Sequence, residues 1–449
     1  MVITKLNKLT IASVACLAIF AGFSAPAFAD TSSVIDKLYE LGVLNDEDYA
    51  ELNKEAKDER REAAEKSAKD NDPSKVSCKY SDGFKCKSKD GAFGLQLAGR
   101  IQQDYRDYDT TQSSEFDIRR LYFGVKGHVY NDWKFESTFN LDKTSSDTND
   151  AIEYMFLEYA GNPNAKVRIG SQKIFYSFEE ITSSRFTDFA ERSVVNSNVI
   201  GKDRGIQVHG EPMKNQFQYS VAFFNGSGRG DEDSTGGNGK GYVGRLAYNA
   251  TGDAGKKSGS VFHFDVAYAH NNASAGDNKD VAGEAKSDTK IWSTTDTSTA
   301  HQETYKNLGF VAIKGPFKAQ TEHNVYTIDT GSAAYDVTTE YFAVNWLLTG
   351  ERYADNYSLG GMKAIKPNSV FSSGGGTGAW ELGYRTSRVD ADSNYGSGSN
   401  KAKSDTVGLK WIPNHKTRFI LNYVKTSYDT AISSRTEEDA WILRTQVDF

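Results

Sequence analysis

From residue 93 to the end of the chain, apolar and polar side chains alternate with a period of two, broken at intervals by turn residues. The final stretch is the clearest. Trp441, Leu443, Thr445, Val447 and Phe449 take one face, and Ile442, Arg444, Gln446 and Asp448 the other. Trp133, Phe135, Phe139 and Leu141 alternate in the same way with Lys134, Glu136, Thr138 and Asn140. So do Phe262, Phe264, Val266 and Tyr268 with His263, Asp265 and Ala267, and Trp380, Leu382 and Tyr384 with Glu381, Gly383 and Arg385. Successive side chains of a strand point to opposite sides, so this period is that of β-structure. One apolar face and one strongly polar face, with aromatics near the strand ends, predict an all-β transmembrane barrel. A soluble β-sandwich also alternates, but with shorter strands and no outward aromatic girdles.

About sixteen strands are expected, centred near residues 98, 122, 137, 155, 169, 207, 220, 246, 265, 309, 322, 342, 384, 408, 420 and 444. Tight connections at residues 130–132, 161–164, 212–215, 315–316 and 412–415 read as periplasmic turns. Long Gly/Ser/Asp-rich segments such as 225–240 and 271–302 read as extracellular loops. An even count puts the C-terminus in the periplasm, and a barrel of this size encloses water rather than a filled core. Two connections break the rhythm. Residues 174–202 are long and charged. Residues 351–377 are long on the periplasmic side, where turns should be short, and carry Lys363 and Lys366. Long connections of this kind are usually functional, and in a channel the natural place for one is the lumen.

Residues 30–75 follow a helical period instead. Val34, Leu38 and Leu41 share a face, Gly42 stops the first helix, and Asn45-Asp46 caps a second. The apolar stripe fades after Leu52, which leaves a solvated helix or weak coiled coil. Two readings stay open for it: a periplasmic stalk that trimerises or contacts the cell wall, or a charged spacer. Residues 76–92 are expected to be linker and residues 93–449 the barrel. Residues 1–29 have the form of a signal peptide: Lys5 and Lys8, a short apolar run, then Ala27-Phe28-Ala29. Cys16 is a poor lipidation site, since Ser13 stands where such a site wants Leu.

Composition agrees with a barrel. Phe, Tyr and Gly are plentiful at 25, 24 and 40, while only 38% of residues are apolar. A mean hydropathy of −0.59 suits a barrel that needs apolar side chains only at alternate positions. Beyond the signal segment no apolar run reaches the length of a membrane helix. Cleavage would change the net charge from −7 to −9. The two remaining cysteines, Cys78 and Cys86, form an even pair in an oxidising compartment, and a local disulfide is expected.

The chain resembles the phosphate-selective porin O and P family over roughly residues 95–449. The matching stretches include Leu97-Ala98-Gly99-Arg100-Ile101-Gln102, Arg119-Arg120-Leu121-Tyr122-Phe123 and Asp132-Trp133-Lys134. Residues 179–192 (EEITSSRFTDFAER), Leu348-Thr349-Gly350-Glu351, Gly378-Ala379-Trp380-Glu381-Leu382 and the last six residues follow in order. The resemblance implies an outer-membrane porin in a Gram-negative cell, a homotrimer of sixteen-stranded barrels with inward loops forming an anion-binding eyelet. It implies passive diffusion of small hydrophilic or anionic solutes. Residue by residue, it assigns an arginine path to Arg100, Arg119, Arg120 and Arg192, and an acidic partner to Glu153. It assigns an inward hydroxyl-plus-cation motif to Ser183, Ser184 and Arg185, and leaves Lys363 and Lys366 as the periplasmic-side cations. Forked guanidinium donors and hydroxyls suit phosphate oxygens, and rings of cations select anions.

Two features pull the other way. Glu180 stands where phosphate-selective members carry lysine, and the lysine near Ser358 is missing, so a general porin or a channel for organic anions is the alternative. Strict alternation also puts Arg119 on the lipid side beside Leu121, unless the strand bulges there. A structural or adhesive barrel would favour a plugged lumen. No enzyme is expected: His128, His209, His263 and His301 are scattered without a nucleophile or a metal motif, and no cofactor, metal or nucleic acid is implied.

Overall fold

The computed structural model describes residues 31–70, 75–80, 83–110, 112–142, 151–226, 240–273, 280–287, 289–294, 301–392 and 396–449. The signal peptide expected at residues 1–29 and much of the two expected extracellular loops lie outside the described residues.

Sixteen strands make one closed antiparallel barrel. They are β1 (Gly94–Tyr108), β2 (Glu115–Val129), β3 (Trp133–Asn140), β4 (Ile152–Tyr159), β5 (Lys166–Lys173), β6 (Lys202–Met213), β7 (Phe217–Phe224) and β8 (Gly241–Asn249). Then come β9 (Ser260–Ala273), β10 (His301–Lys314), β11 (Phe317–Asp329), β12 (Ala334–Leu347), β13 (Ala379–Ala391), β14 (Lys401–Asn414), β15 (Thr417–Ile432) and β16 (Arg435–Asp448). Every expected strand centre falls inside one of them. β16 returns to β1, from Ala440 opposite Tyr108 to Asp448 opposite Arg100. Beyond that register, Gly99 and Phe449 exchange two backbone hydrogen bonds at 2.8 and 3.1 Å. Closure leaves the barrel no open sheet edge, which is what a lipid environment requires.

Burial is inverted relative to a soluble fold. Val221, Phe264, Leu308 and Trp441 are exposed on the outer face, while Glu303, Asn324, Arg385 and Arg444 are buried inside. Outward aromatics gather at two levels. Near the turn side, Trp133 meets Tyr159 at 5.1 Å, Phe317 meets Trp346 at 5.6 Å, and Trp380 meets Trp411 at 5.7 Å between ring centroids. Near the loop side, Tyr105 meets Phe116 at 4.9 Å and Tyr242 meets Tyr268 at 6.4 Å. These are the girdles expected at the two lipid–water interfaces.

Residues 76–92, read as linker, hold a β-hairpin. Val76–Tyr80 pairs with Phe84–Ser88, and Lys85, Cys86 and Lys87 pair with Gln96, Leu95 and Gly94 of β1. The start of β1 runs past the end of β16, so its free backbone groups take the hairpin as a further strand. Cys78 and Cys86 lie opposite each other, Cα–Cα 4.0 Å, and are disulfide-bonded.

The N-terminal unit is a helical hairpin, α1 (Thr31–Glu40) and α2 (Asp46–Asp70). Ile35, Leu44 and Ala56 form its small core, with Leu38, Tyr49 and Leu52 packed on it. Gly42, at φ +68°, ends the first helix, and Asn45 Oδ1 accepts from the Asp48 N–H at 2.8 Å to start the second.

Candidate pore constriction

Residues 174–201, between β5 and β6, fold into the barrel. Ser177 Oγ accepts from the Glu180 N–H at 3.2 Å and caps a one-turn helix, Phe178–Ile181. Ile174, Tyr176 and Val194 pack on inward-facing Ala222, Val243, Ala267, Tyr305 and Tyr326, and Phe178 packs on Val261, Val311 and Ile313. Parts of β7–β11 are therefore apolar on both faces, one for lipid and one for this loop. Polar pins complete the docking. Tyr176 Oη donates to Asn324 Oδ1 at 2.6 Å, and the Glu179 N–H donates to Glu322 Oε1 at 2.7 Å.

A second connection, after β12, enters from the turn side. Tyr353, Tyr357, Met362 and Ile365 join the cluster around Phe178, and the Met362 N–H donates to Thr182 Oγ1 at 3.1 Å. Gly361, at φ +107°, lies so close to Thr182 that a Cβ would fall 2.9 Å from the Thr182 Cα. The alternation of long and short connections places this one on the periplasmic side. Its Lys363 and Lys366 are exposed, but residues 353–362 reach the constriction loop itself.

The candidate residues fall into two groups. In the first, Arg100 Nη1 donates to Ser184 Oγ at 2.8 Å, with its guanidinium 4.5 Å above the Tyr122 ring. Arg120 Nη1 donates to Gln102 Oε1 at 2.9 Å, while Gln102 Nε2 donates to the Ser184 carbonyl at 3.2 Å and to Gln446 Oε1 at 2.5 Å. Gln446 Nε2 donates in turn to the Arg185 carbonyl at 3.2 Å. This chain of glutamines brings Arg100, Arg120, Ser184 and Arg185 to one place, with Ser183 beside them. The Arg185 guanidinium lies 3.7 Å from Asp448, and Arg120 has no ion pair among the described residues.

The second group is held within the protein. Arg192 donates to the Glu179, Glu180 and Thr182 carbonyls at 3.1, 3.2 and 2.8 Å, and its Nη1 lies 3.2 Å from Glu180 Oε2. Lys173 Nζ lies 3.2 Å from Glu180 Oε1, and Asn196 Nδ2 donates to Oε2 at 2.7 Å. Glu153 is paired with Lys202. Burial opposes ionisation of Glu180, but Arg192, then Lys173 and Lys202, outweigh it and hold the carboxyl at about 2. Arg119 grips Glu191 with two hydrogen bonds, 2.6 and 3.0 Å. Burial opposes ionisation of Glu191 as well, but Arg119, Arg444 and Arg106 keep its carboxyl well below the usual range.

Arg119 and Glu153 reach the lumen by the same device. Gln102 pairs with Arg120 but Gln103 with Ile118, and Thr138 pairs with Tyr154 but Phe139 with Ile152. Arg119 and Glu153 are the extra residues of two β-bulges, so each points inward together with its successor. Several lumenal charges were not singled out from the sequence: Arg106, Lys173, Lys202, Glu284, Arg385 and Arg444. Strand parity places Arg385 and Arg444 on the polar face, but only the loops inside the barrel give them partners.

A profile of the family described as phosphate-selective porin O and P matches residues 95–449. The chain is 24% identical over 428 residues to Porin O of Pseudomonas aeruginosa, covering 84% of this chain and 93% of that protein. Among solved structures it is similar in fold to a loop L8 deletion mutant of OmpT, an outer-membrane protein of Vibrio cholerae. The TM-score is 0.52 at 12% identity, covering 80% of this chain and 100% of that one. In-vitro folded OmpT gives a TM-score of 0.50 at 11% identity, covering 80% and 98%.

Proposed function

The chain belongs to the phosphate-selective porin O and P family, and on that premise we propose that this outer-membrane porin prefers phosphate-like oxyanions at its constriction. The observation that carries the reading is the state of Glu180. Its charge, opposite to the lysine the family resemblance leads one to expect, is spent inside the protein. Glu180 and Glu153 together face Lys173, Lys202 and Arg192, so that cluster is not anionic. Arg120 and Arg185, by contrast, stand half-buried with weak or no carboxylate partners.

Forked donors at Arg120 and Arg185, with Ser183 and Ser184 hydroxyls beside them, suit a tetrahedral oxyanion. Arg100 orients Ser184 rather than meeting the ion first, since it is 3% exposed. Lys363 and Lys366, exposed at the periplasmic side, receive the departing ion. Binding must be strong enough to admit the ion and weak enough to release it, and half-exposed cations satisfy both. The protein acts as a channel rather than by catalysis. We read the assembly as a homotrimer, in keeping with the family resemblance, and the helical N-terminal unit as a periplasmic stalk or spacer.

Conductance of the purified protein in chloride, with phosphate titrated in, tests this reading. Reduction of the chloride current by phosphate well below the chloride concentration is expected. Absence of block means a general porin.

A further inference from the structure

We propose that the outward wall of β12–β14 carries a site for a phosphorylated glycolipid of the outer leaflet. One groove takes its phosphorylated sugar and a second takes its acyl chains. The site lies on the lipid side of the barrel and does not depend on the ion preference of the pore.

Lipid faces the even positions of β12 and β13 and the odd positions of β14 and β15. Towards the loop ends the character of these positions changes. Tyr384, Val407 and Tyr423 are the last apolar or aromatic outward residues of β13, β14 and β15. Beyond them stand Thr386, Arg388 and Asp390, then Asp405, Lys403 and Lys401, then Lys425, Ser427 and Asp429. A charge on the lipid face is costly at the bilayer midplane and tolerated near the interface, so this band belongs to the headgroup level.

Within the band the register sets Arg388 directly opposite Lys403, with Lys401 opposite Asp390. Like charges facing each other across an antiparallel pair are destabilising, and an anion held between them removes the penalty. Their carboxylate partners leave room for one. Arg388 lies 3.9 Å from Glu340 and Lys401 3.5 Å from Asp390, both longer than a charge-assisted hydrogen bond. Lys403 is closer to Asp405, at 2.7 Å, but half-exposed. Exposed pairs of this kind contribute little, so a phosphate can take the guanidinium fork and two ammonium groups. A groove of about 540 Å³ runs among these side chains, lined also by Glu340, Asp390 and Asp429. Its carboxylates are acceptors for sugar hydroxyls, which a glycolipid offers beside its phosphate.

A second groove, of about 550 Å³, lies on the same strands nearer the turns and is lined by Val344, Leu382, Tyr384 and Val407. It reaches β10 and β11, where Ala312 and Ala319 face each other and leave a trough beside Phe262, Phe317 and Trp346. Val344, Tyr384 and Val407 are in register across three strands. Arg388 lies four residues beyond Tyr384, and Lys403 four beyond Val407, about 13 Å along each strand. An amphiphile with its phosphate in the first groove therefore lays its chains in the second. A free phosphate would have no use for the apolar groove.

Full-length protein in detergent, titrated with diphosphorylated lipid A and with its dephosphorylated form and read by native mass spectrometry, tests this. The wild type should hold the diphosphorylated lipid several-fold more tightly. Arg388→Gln with Lys401→Gln and Lys403→Gln should abolish that preference while heat-modifiable mobility shows a folded barrel. Should the triple variant fail to fold, R388Q and K403Q singly should each reduce the preference. Ala319→Trp, which fills the apolar groove, should weaken both lipids alike, and excess inorganic phosphate should not displace the lipid. A wild type without the preference, or folded charge variants that keep it, overturns the site. Unchanged binding in A319W, or displacement by inorganic phosphate, overturns the glycolipid as its occupant.

Discussion

Glu180 Oε2 lies 3.2 Å from Arg192 Nη1, and the same arginine closes the end of the short helix that carries Glu180. A residue that a sequence comparison reads as reversed charge in the pore is thus the internal counter-ion of its own loop.

Glu180→Gln should destabilise the constriction loop by about 3–5 kcal/mol, the usual cost of leaving buried cations unpaired. It should raise open-channel noise without improving anion preference, and Glu180→Lys should be worse. The carboxyl titrates at about 2 in the fold, against about 4.3 when free. Its contribution is therefore complete above about pH 4.3 and is lost as the pH falls towards 2. Channel noise recorded across that window should rise in the wild type and change little in the glutamine variant. A quiet, more anion-selective Glu180→Lys channel would contradict the assignment.

The disulfide predicts a purely local effect. A bond across a separation of 8 residues restrains the hairpin at residues 76–88, worth about 2.5 kcal/mol by loop closure. Cys78→Ser with Cys86→Ser should speed hydrogen exchange in that hairpin and leave single-channel conductance unchanged. Loss of conductance would mean that the hairpin shapes the pore.

Barrel closure makes a third prediction. A Cβ at Gly99 would sit 2.2 Å from the Phe449 ring. Gly99→Val should lower the yield of heat-modifiable folded barrel, the cost being about 1–3 kcal/mol of overpacking. Adding Phe449→Ala should recover part of it. Equal yields in all three proteins would show that this contact does not guide closure.

The sixteen strands were legible because lipid outside and a largely polar lumen inside impose the same alternation along most of their length. The site was legible only in part, because its residues are where that rule is broken. Arg119 and Glu153 sit on bulges; alternation pointed to the first, since Arg119 would otherwise face lipid beside Leu121, but not to the second. β8 and β9 carry Val243, Ala267 and Ala269 inward, an apolar second face that marks the docking surface of the loop once the loop is seen. The fate of Glu180 depended on Lys173 and Lys202, residues of two strand ends that the sequence separates from each other by the whole loop. Residues 76–92 looked like linker because their Lys, Ser and Gly content hides a hairpin that pairs with the start of β1, beyond the end of β16.

The central claim is that Arg120 and Arg185 set the ion preference. Reversal potentials across a potassium chloride gradient test it most directly, for the wild type and for Arg120→Glu with Arg185→Glu. The wild type should prefer anions, and the double variant should lose that preference or reverse it with the barrel still folded. A wild type that prefers cations, or a folded double variant with an unchanged reversal potential, would contradict the account.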